Sequence, residues 1–499
     1  MTGPLHWGMA QRQPTRYLGA CFLVLAVPLW AQSPVKAAHD YAAAHRAELI
    51  EQFTGFLAIP NVAADPEGLK RNADLLVGEL QKRGVEARQL ALPGAPSVVY
   101  GRIDTPSAKH TIVFYAHYDG QPVTPAEWTV TPPFTPLLRE VNGEPRIYAR
   151  SAGDDKAAIF AQLTALDALR AAHIPLQANI RFVWEGEEEA GSPHLEEILN
   201  ANRDLIRSDL FLVCDGPVDQ SGRQSIAFGA RGDAHLEVTV YGANRGLHSG
   251  HYGNWAPNPA MMLAQLLAGM KDENGRVAIP HFYDGVTPLS PREEQALARA
   301  PVNDRMLMDA FSLGHVDGNG AHLVELINQP SLNINGLSAA QTGARATNVI
   351  PSTATADLDL RLVAGIDWRQ QQQRVVDYIA SRGYFVVDRE PTRETLLSHA
   401  RVARVVRDPA GYNAVRTPMD LALAQEVIAA VTSAHGEPVL LPTMGGSVPL
   451  GAMERPSGAR TITVPIANYD DNQHTANENL RLKNLWDGIE TMAALLEME

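Results

Sequence analysis

Histidines and carboxylates recur in this chain at the points where apolar runs stop. Residues 111–116 run into His117-Tyr118-Asp119, residues 179–184 into Glu185-Gly186-Glu187-Glu188-Glu189, and residues 209–214 into Asp215. Each run reads as a buried strand, and ligands of open parallel sheets gather beyond the carboxyl ends of their strands. Asp154-Asp155 stand where a long helical pattern begins, a position made hospitable to carboxylates by free N–H groups and the helix dipole. A later polar loop, from Tyr469 to Glu478, carries His474. Singly, a His-x-Asp pair or a run of Glu is an ordinary surface feature; their joint placement carries the argument. Carboxylates converging on one sheet edge raise one another's pKa values unless cations neutralise them. Imidazole and carboxylate ligands without thiolate suit zinc, manganese or cobalt, with zinc the usual choice for a hydrolase. Two histidines and three carboxylates suffice for two divalent cations that share one bridging carboxylate.

The elements that must hold these groups alternate between helical and strand periods from about residue 38, the pattern of an α/β fold with a wound, mostly parallel sheet. Helices are expected at 38–56, 66–84, 155–173 and 193–203, with strands at 96–103, 111–116, 179–184 and 209–214. At about Asp233 the texture changes, because Leu236, Val238 and Val240 alternate with Glu237 and Thr239 as in a strand with one wet face. Strands at 331–336, 354–362 and 383–388 and helices at 258–271 and 367–382 complete a second, α+β unit. The first texture returns with a helix at 419–435, strands at 438–441 and 460–466, and an amphipathic helix at 482–498. The expected division is therefore 38–232 and 409–499 for a catalytic domain split in sequence, and 233–408 for the insertion.

With 499 residues, 45% hydrophobic and 20% charged, the chain has the composition of a globular protein of two or three units. Its formal charge of −14 and the lack of a basic run argue against nucleic acid as a partner. At the amino terminus, Arg12 and Arg16 precede the apolar run 17–30 and then the small and polar residues 31–33. That order reads as a signal peptide over residues 1–31 and so as a secreted or periplasmic protein, with an uncleaved anchor as the alternative. The apolar stretch follows Cys21 rather than preceding it, against a lipoprotein site. Removal of the segment leaves Cys214 as the one cysteine, so no intrachain disulfide is expected.

His117-x-Asp119, Gly153-Asp154-Asp155-Lys156, Glu185-Gly-Glu-Glu188-Glu189-x-Gly191-Ser192, Cys214-Asp215 and the His474 loop resemble, in type and order, the dinuclear zinc peptidase family of carnosine dipeptidases, carboxypeptidase G and aminoacylase. The resemblance implies that Asp154 bridges two ions, that His117 and Asp215 complete one site, and that Glu189 and His474 complete the other. It makes Glu188 the general base and gives Asp119 the task of orienting His117. It places Arg361 with Gly445-Gly446-Ser447 in recognition of a substrate carboxylate, and His248, in Gly246-Leu247-His248-Ser249-Gly250, as an oxyanion stabiliser. It also implies that 233–408 is a dimerisation and lid domain, so that a homodimer brings His248 of one subunit over the metals of the other. Ser151 and Ala157 stand where the family commonly has glycine, which puts the local loop geometry in question.

The implied activity is hydrolysis of peptide bonds in dipeptides or short peptides, of carboxypeptidase or dipeptidase type, by a water activated between two cations. Asp215, rather than Glu, resembles the dipeptidase and carboxypeptidase G members. The alternative within the enzyme class is an N-acyl amino acid amidohydrolase using the same metals. A periplasmic binding protein that only holds metal would need the ligands but no spare carboxylate such as Glu188.

Overall fold

The computed structural model describes residues 1–3 and 32–499, and the expected signal peptide lies outside the described residues except at residues 1–3. No helix among the described residues is long and apolar enough to cross a membrane.

Eight strands form the larger sheet, in the spatial order 86–90, 98–103, 179–185, 111–117, 210–213, 460–463, 225–227 and 439–441. Its centre is parallel: strand Thr111–His117 lies between Asn179–Glu185 and Leu210–Val213, and Arg460–Thr463 continues the parallel run. Strands Glu86–Leu90 and Val98–Ile103 are antiparallel additions at one edge, and Ser225–Ala227 meets Arg460–Thr463 antiparallel, so the sheet is mixed. Every residue from Ile112 to His117 and from Ile180 to Glu185 is buried, as expected of strands covered on both faces. One such cover is helix Lys156–Ala171, on which nearly every side chain is buried beneath the closing helix Leu482–Leu496.

The register of the parallel centre brings the chemistry together. His117 pairs with Glu185, and Tyr115 with Val213, so three strands end level at one edge and release their next residues into the same space. Helix Lys156–Ala171 begins at that edge. Asp155 occupies its N-cap position but makes no side-chain cap; its Oδ2 instead accepts the backbone N–H of His117 at 3.1 Å. The peptide bond between Asp154 and Asp155 is cis.

A second sheet has five strands in the order 331–338, 353–362, 232–241, 402–407 and 385–387. Its own apolar core includes Leu236, Val238, Leu263, Leu358, Val375 and Ile379, with helices Pro259–Ala268 and Trp368–Ser381 packed against it. Between strands 232–241 and 331–338 the chain also reaches back: helix Pro291–Arg299 packs beside strand Val439–Leu441, and Ala296 belongs to the core of the larger sheet. The buried Glu293–Arg416 pair, 3.2 Å apart, ties that helix down.

Several local expectations change. The helix expected at 38–56 is two helices, Pro34–Ala44 and Arg46–Leu57, broken at His45. The hairpin Leu137–Val141 and Glu144–Tyr148 had no clear sequence signal, since its first strand is almost wholly exposed and carries no apolar alternation. Ser151 adopts φ +61°, which explains why glycine suits that position. Here Asn61 Nδ2 donates to Ser151 Oγ at 2.9 Å and to the Tyr118 carbonyl at 2.7 Å, anchoring the strained turn.

Candidate metal centre

Asp154 is the hub of the strand-end cluster. Its Oδ1 lies 2.8 Å from His117 Nε2 and its Oδ2 lies 3.1 Å from His474 Nε2, so one carboxylate faces both imidazoles. His474 Nε2 is also 3.2 Å from Glu189 Oε2, while His117 Nε2 is 4.0 Å from Asp215 Oδ1 and from Glu188 Oε2. Ligand atoms of His117, Glu188 and Asp215 form one compact group, and those of Asp154, Glu189 and His474 another. All the sequence-derived ligand candidates therefore converge. His117 is fully buried and His474 about half exposed, so the cluster runs from the sheet edge out to solvent.

Supporting groups fix these side chains. Asp119 Oδ1 lies 3.3 Å from His117 Nδ1, and its two oxygens accept the backbone N–H groups of Glu188 and Glu189 at 3.1 and 3.0 Å. One carboxylate thus orients the histidine and holds the turn that presents both glutamates. Glu189 also accepts from the backbone and side chain of Gln121, and Gln473 Nε2 donates to Asp154 Oδ2 at 2.7 Å. Beneath the Asp154 turn, Glu478 accepts from the backbone N–H groups of Ser151, Gly153 and Asp154 and from Arg150 Nη1 at 2.7 Å, in a fully buried ion pair. Gln121, Gln473, Arg150 and Glu478 were missed as functional residues. Glu478 and Gln473 lie inside the polar loop that drew attention to His474, but only the folded chain shows what they touch.

The electrostatics record a surplus of negative charge. Burial, then the charge of Asp154, pushes Asp215 up to about 7. Burial and the carboxylates of Asp215, Asp154 and Glu189 raise Glu188 well above the usual carboxylate range. Contacts with Asp154 and Glu189 raise His474 to about 10. Burial alone would lower His117, but Asp119 and Asp154 outweigh it and hold the imidazole well above its ordinary value. Protons thus collect on this cluster, and divalent cations would relieve the same repulsion. The nitrogen and oxygen donor set, without thiolate, fits zinc, manganese or cobalt. His117, Asp154 and Asp215 can hold one ion, and Asp154, Glu189 and His474 the other.

A cavity of about 580 Å³ opens from Asp154, Glu188 and Asp215 and is lined farther out by Gly446 and Ser447. Arg361, on strand Thr353–Leu362 of the second sheet, donates from Nη1 to Ser447 Oγ at 2.8 Å. Its Nε lies 3.0 Å from the buried Asp359, and Asp233 is 3.5 Å from Nη1. Arg361 and Ser447 therefore meet across the two sheets. His248 does not join them: it is exposed, pairs with Val349, and does not line the cavity.

The profile of peptidase family M20/M25/M40 matches residues 113–498. The chain is 26% identical over 487 residues to the Beta-Ala-His dipeptidase of Homo sapiens, covering 92% of each. It is likewise 26% identical over 490 residues to the Cys-Gly metallodipeptidase of Candida albicans, covering 93% of this chain and 97% of that one. Among solved structures, the M20 family metallo-carboxypeptidase Sso-CP2 from Sulfolobus solfataricus superposes with a TM-score of 0.75 at 27% identity, over 90% of this chain and 99% of that one.

Proposed function

The chain belongs to peptidase family M20/M25/M40, and on that premise we propose that it hydrolyses the amide bond of dipeptides or short peptides with two divalent cations, zinc foremost. The observation that carries the reading is the Asp154 carboxylate shared between His117 and His474, with Glu188 beside it in a cavity large enough for a small ligand. The names of the related dipeptidases favour dipeptide substrates.

When bound, the cations polarise the scissile carbonyl and make water a competent nucleophile near neutral pH. His117, Asp154 and Asp215 would hold one, and Asp154, Glu189 and His474 the other. Glu188 takes the proton of the attacking water and passes it to the leaving amine. Asp119 keeps His117 in register and Glu188 in place. Arg361, steadied by Asp359 and Asp233, acts with Ser447 and Gly446 on the substrate carboxylate. A protein that only held metal would have no use for Glu188.

The second sheet supports a homodimer. Trp255, Met261 and Leu337 are 79%, 59% and 65% exposed, and strand Ser331–Ser338 is an open edge of its sheet. His248 lies outside the cavity of its own chain, so its role as oxyanion stabiliser requires the partner subunit. Export rests on the basic, apolar and small-residue order of the amino terminus.

The test is to measure the metal content of purified protein and assay it against dipeptides and N-acyl amino acids. Close to two equivalents of metal, dipeptide turnover and loss of activity with chelator are expected. Activity in metal-free protein would overturn the mechanism, and hydrolysis confined to N-acyl amino acids would move the activity to the deacylase type.

A further inference from the structure

Resting on the peptidase reading above, we infer that residues 301–327 form a specificity flap that receives an apolar side chain on the substrate residue bearing the free carboxylate. The segment belongs to the excursion between strands Gly232–Tyr241 and Ser331–Ser338. Helix Asp304–Phe311 has no buried residue, so the second unit's own core does not explain its apolar positions. It is stitched to the next short helix, Leu323–Leu326, by Asp304, whose oxygens accept Leu323 N–H at 2.9 Å and meet His322 Nδ1 at 3.0 Å. That link places Leu307, Leu323 and Ile327 in the lining of the cavity that opens from the metal centre, to which Met444 and Val448 also belong.

The position of the flap identifies which substrate residue it meets. A Cβ placed on Gly445 would lie 3.3 Å from Ile327 Cδ1, so the flap abuts the loop Gly445-Gly446-Ser447. Ser447 in turn accepts from Arg361 in the proposed carboxylate anchor. A side chain leaving the carbon next to that carboxylate therefore starts beside Ile327. Charge narrows the choice further. Away from the metal centre, whose carboxylates the bound cations would offset, the wall carries Asp219 and Asp304 and no Lys or Arg, Arg361 meeting it only through Ser447. An aspartate or glutamate side chain would enter a field of its own sign, whereas a leucine or phenylalanine would replace water on an apolar wall.

The experiment uses the zinc-loaded full chain and compares kcat/KM for the dipeptides Gly-Ala, Gly-Leu, Gly-Phe, Gly-Asp and Leu-Gly. Gly-Leu and Gly-Phe are expected to exceed Gly-Ala by roughly tenfold or more, to exceed Leu-Gly, and to leave Gly-Asp slowest. Ile327→Ala and Leu307→Ser should each cut the ratio of Gly-Leu to Gly-Ala by roughly tenfold. Phe311→Ser, on the outward face at 65% exposure, should leave that ratio as it is. Leu307→Glu adds a carboxylate to the wall and should bring Gly-Lys above Gly-Leu. Dipeptide turnover with a flat ratio, a preference set by the amino-terminal residue, or variants that keep the wild-type ratio would overturn the flap and leave the peptidase reading intact. A loaded protein that hydrolyses none of the dipeptides would overturn both.

Discussion

Zinc affinity is expected to rise steeply with pH, because the metal centre holds protons that the cations must displace. In the stripped chain Asp215 has its pKa pushed up to about 7 from an ordinary 3.8, by burial and then by the charge of Asp154. Between those values the stripped fold keeps a proton that the unfolded chain has released. Its stability from this group is greatest at low pH and falls as pH rises, by about 1.4 kcal/mol per pH unit. Across the whole window the loss for Asp215 alone is about 4 kcal/mol. A coordinated carboxylate has no such proton, so binding must release it. Well below its pKa each displaced proton makes apparent affinity rise about tenfold per pH unit, and for Asp215 alone the gain from pH 5 to pH 7 is about fiftyfold, because the group is half ionised by pH 7. Protonated His117 and His474 add to the slope in the same direction, since both are raised in the stripped fold. Competition against a chromophoric chelator at pH 5, 6 and 7, corrected for the chelator's own titration, measures the slope. Adding zinc to stripped protein in weak buffer at pH 6 should release at least one proton per chain. Affinity that is flat or falls over this range would refute the assignment of the buried cluster as the metal site.

Glu188→Ala should lower kcat by about 10²–10⁴-fold with both metal equivalents retained, whereas Glu189→Ala should lose metal from one site; elemental analysis beside a dipeptide assay separates them. Glu478→Ala leaves the buried guanidinium of Arg150 unpaired and frees three backbone donors, so urea denaturation should show a loss of about 3–5 kcal/mol; wild-type stability would show that the ion pair does not anchor the Asp154 turn. Mixing inactive Glu188→Ala and His248→Ala chains should restore part of the activity, because one site in a heterodimer combines both intact residues; no recovery despite demonstrated subunit exchange would reject the shared site. Amino-terminal sequencing of protein from the native host should find a start near Ala31, and a mature chain beginning at Met1 would overturn cleavage.

What the sequence determined by itself was the set of groups and the order of their supports. Buried strands in a parallel sheet read as unbroken apolar runs, so the polar residue that ends each run is conspicuous: His117, Glu185 and Asp215 could be found this way. The alternation around Leu236 to Val240 likewise disclosed a strand of a different sheet, but its second face is only half-buried at Asp233, His235 and Glu237 and is covered at Thr239 and Tyr241 rather than wet. Tertiary structure alone decided the rest, because sequence spacing carries no information about which strands lie side by side. Only the register of 111–117 against 179–185 and 210–213 brings those ends level, and only the return of residues 471–479 beneath the Asp154 turn puts Glu478 and Gln473 in contact with it. Gln121, Arg150 and the flap at 301–327 had no signature of their own. A glutamine, an arginine in a turn and a short exposed helix are ordinary local features, and each acquires a task from neighbours more than sixty residues away in the chain or, for the flap, from a cavity that the distant loop 441–448 completes.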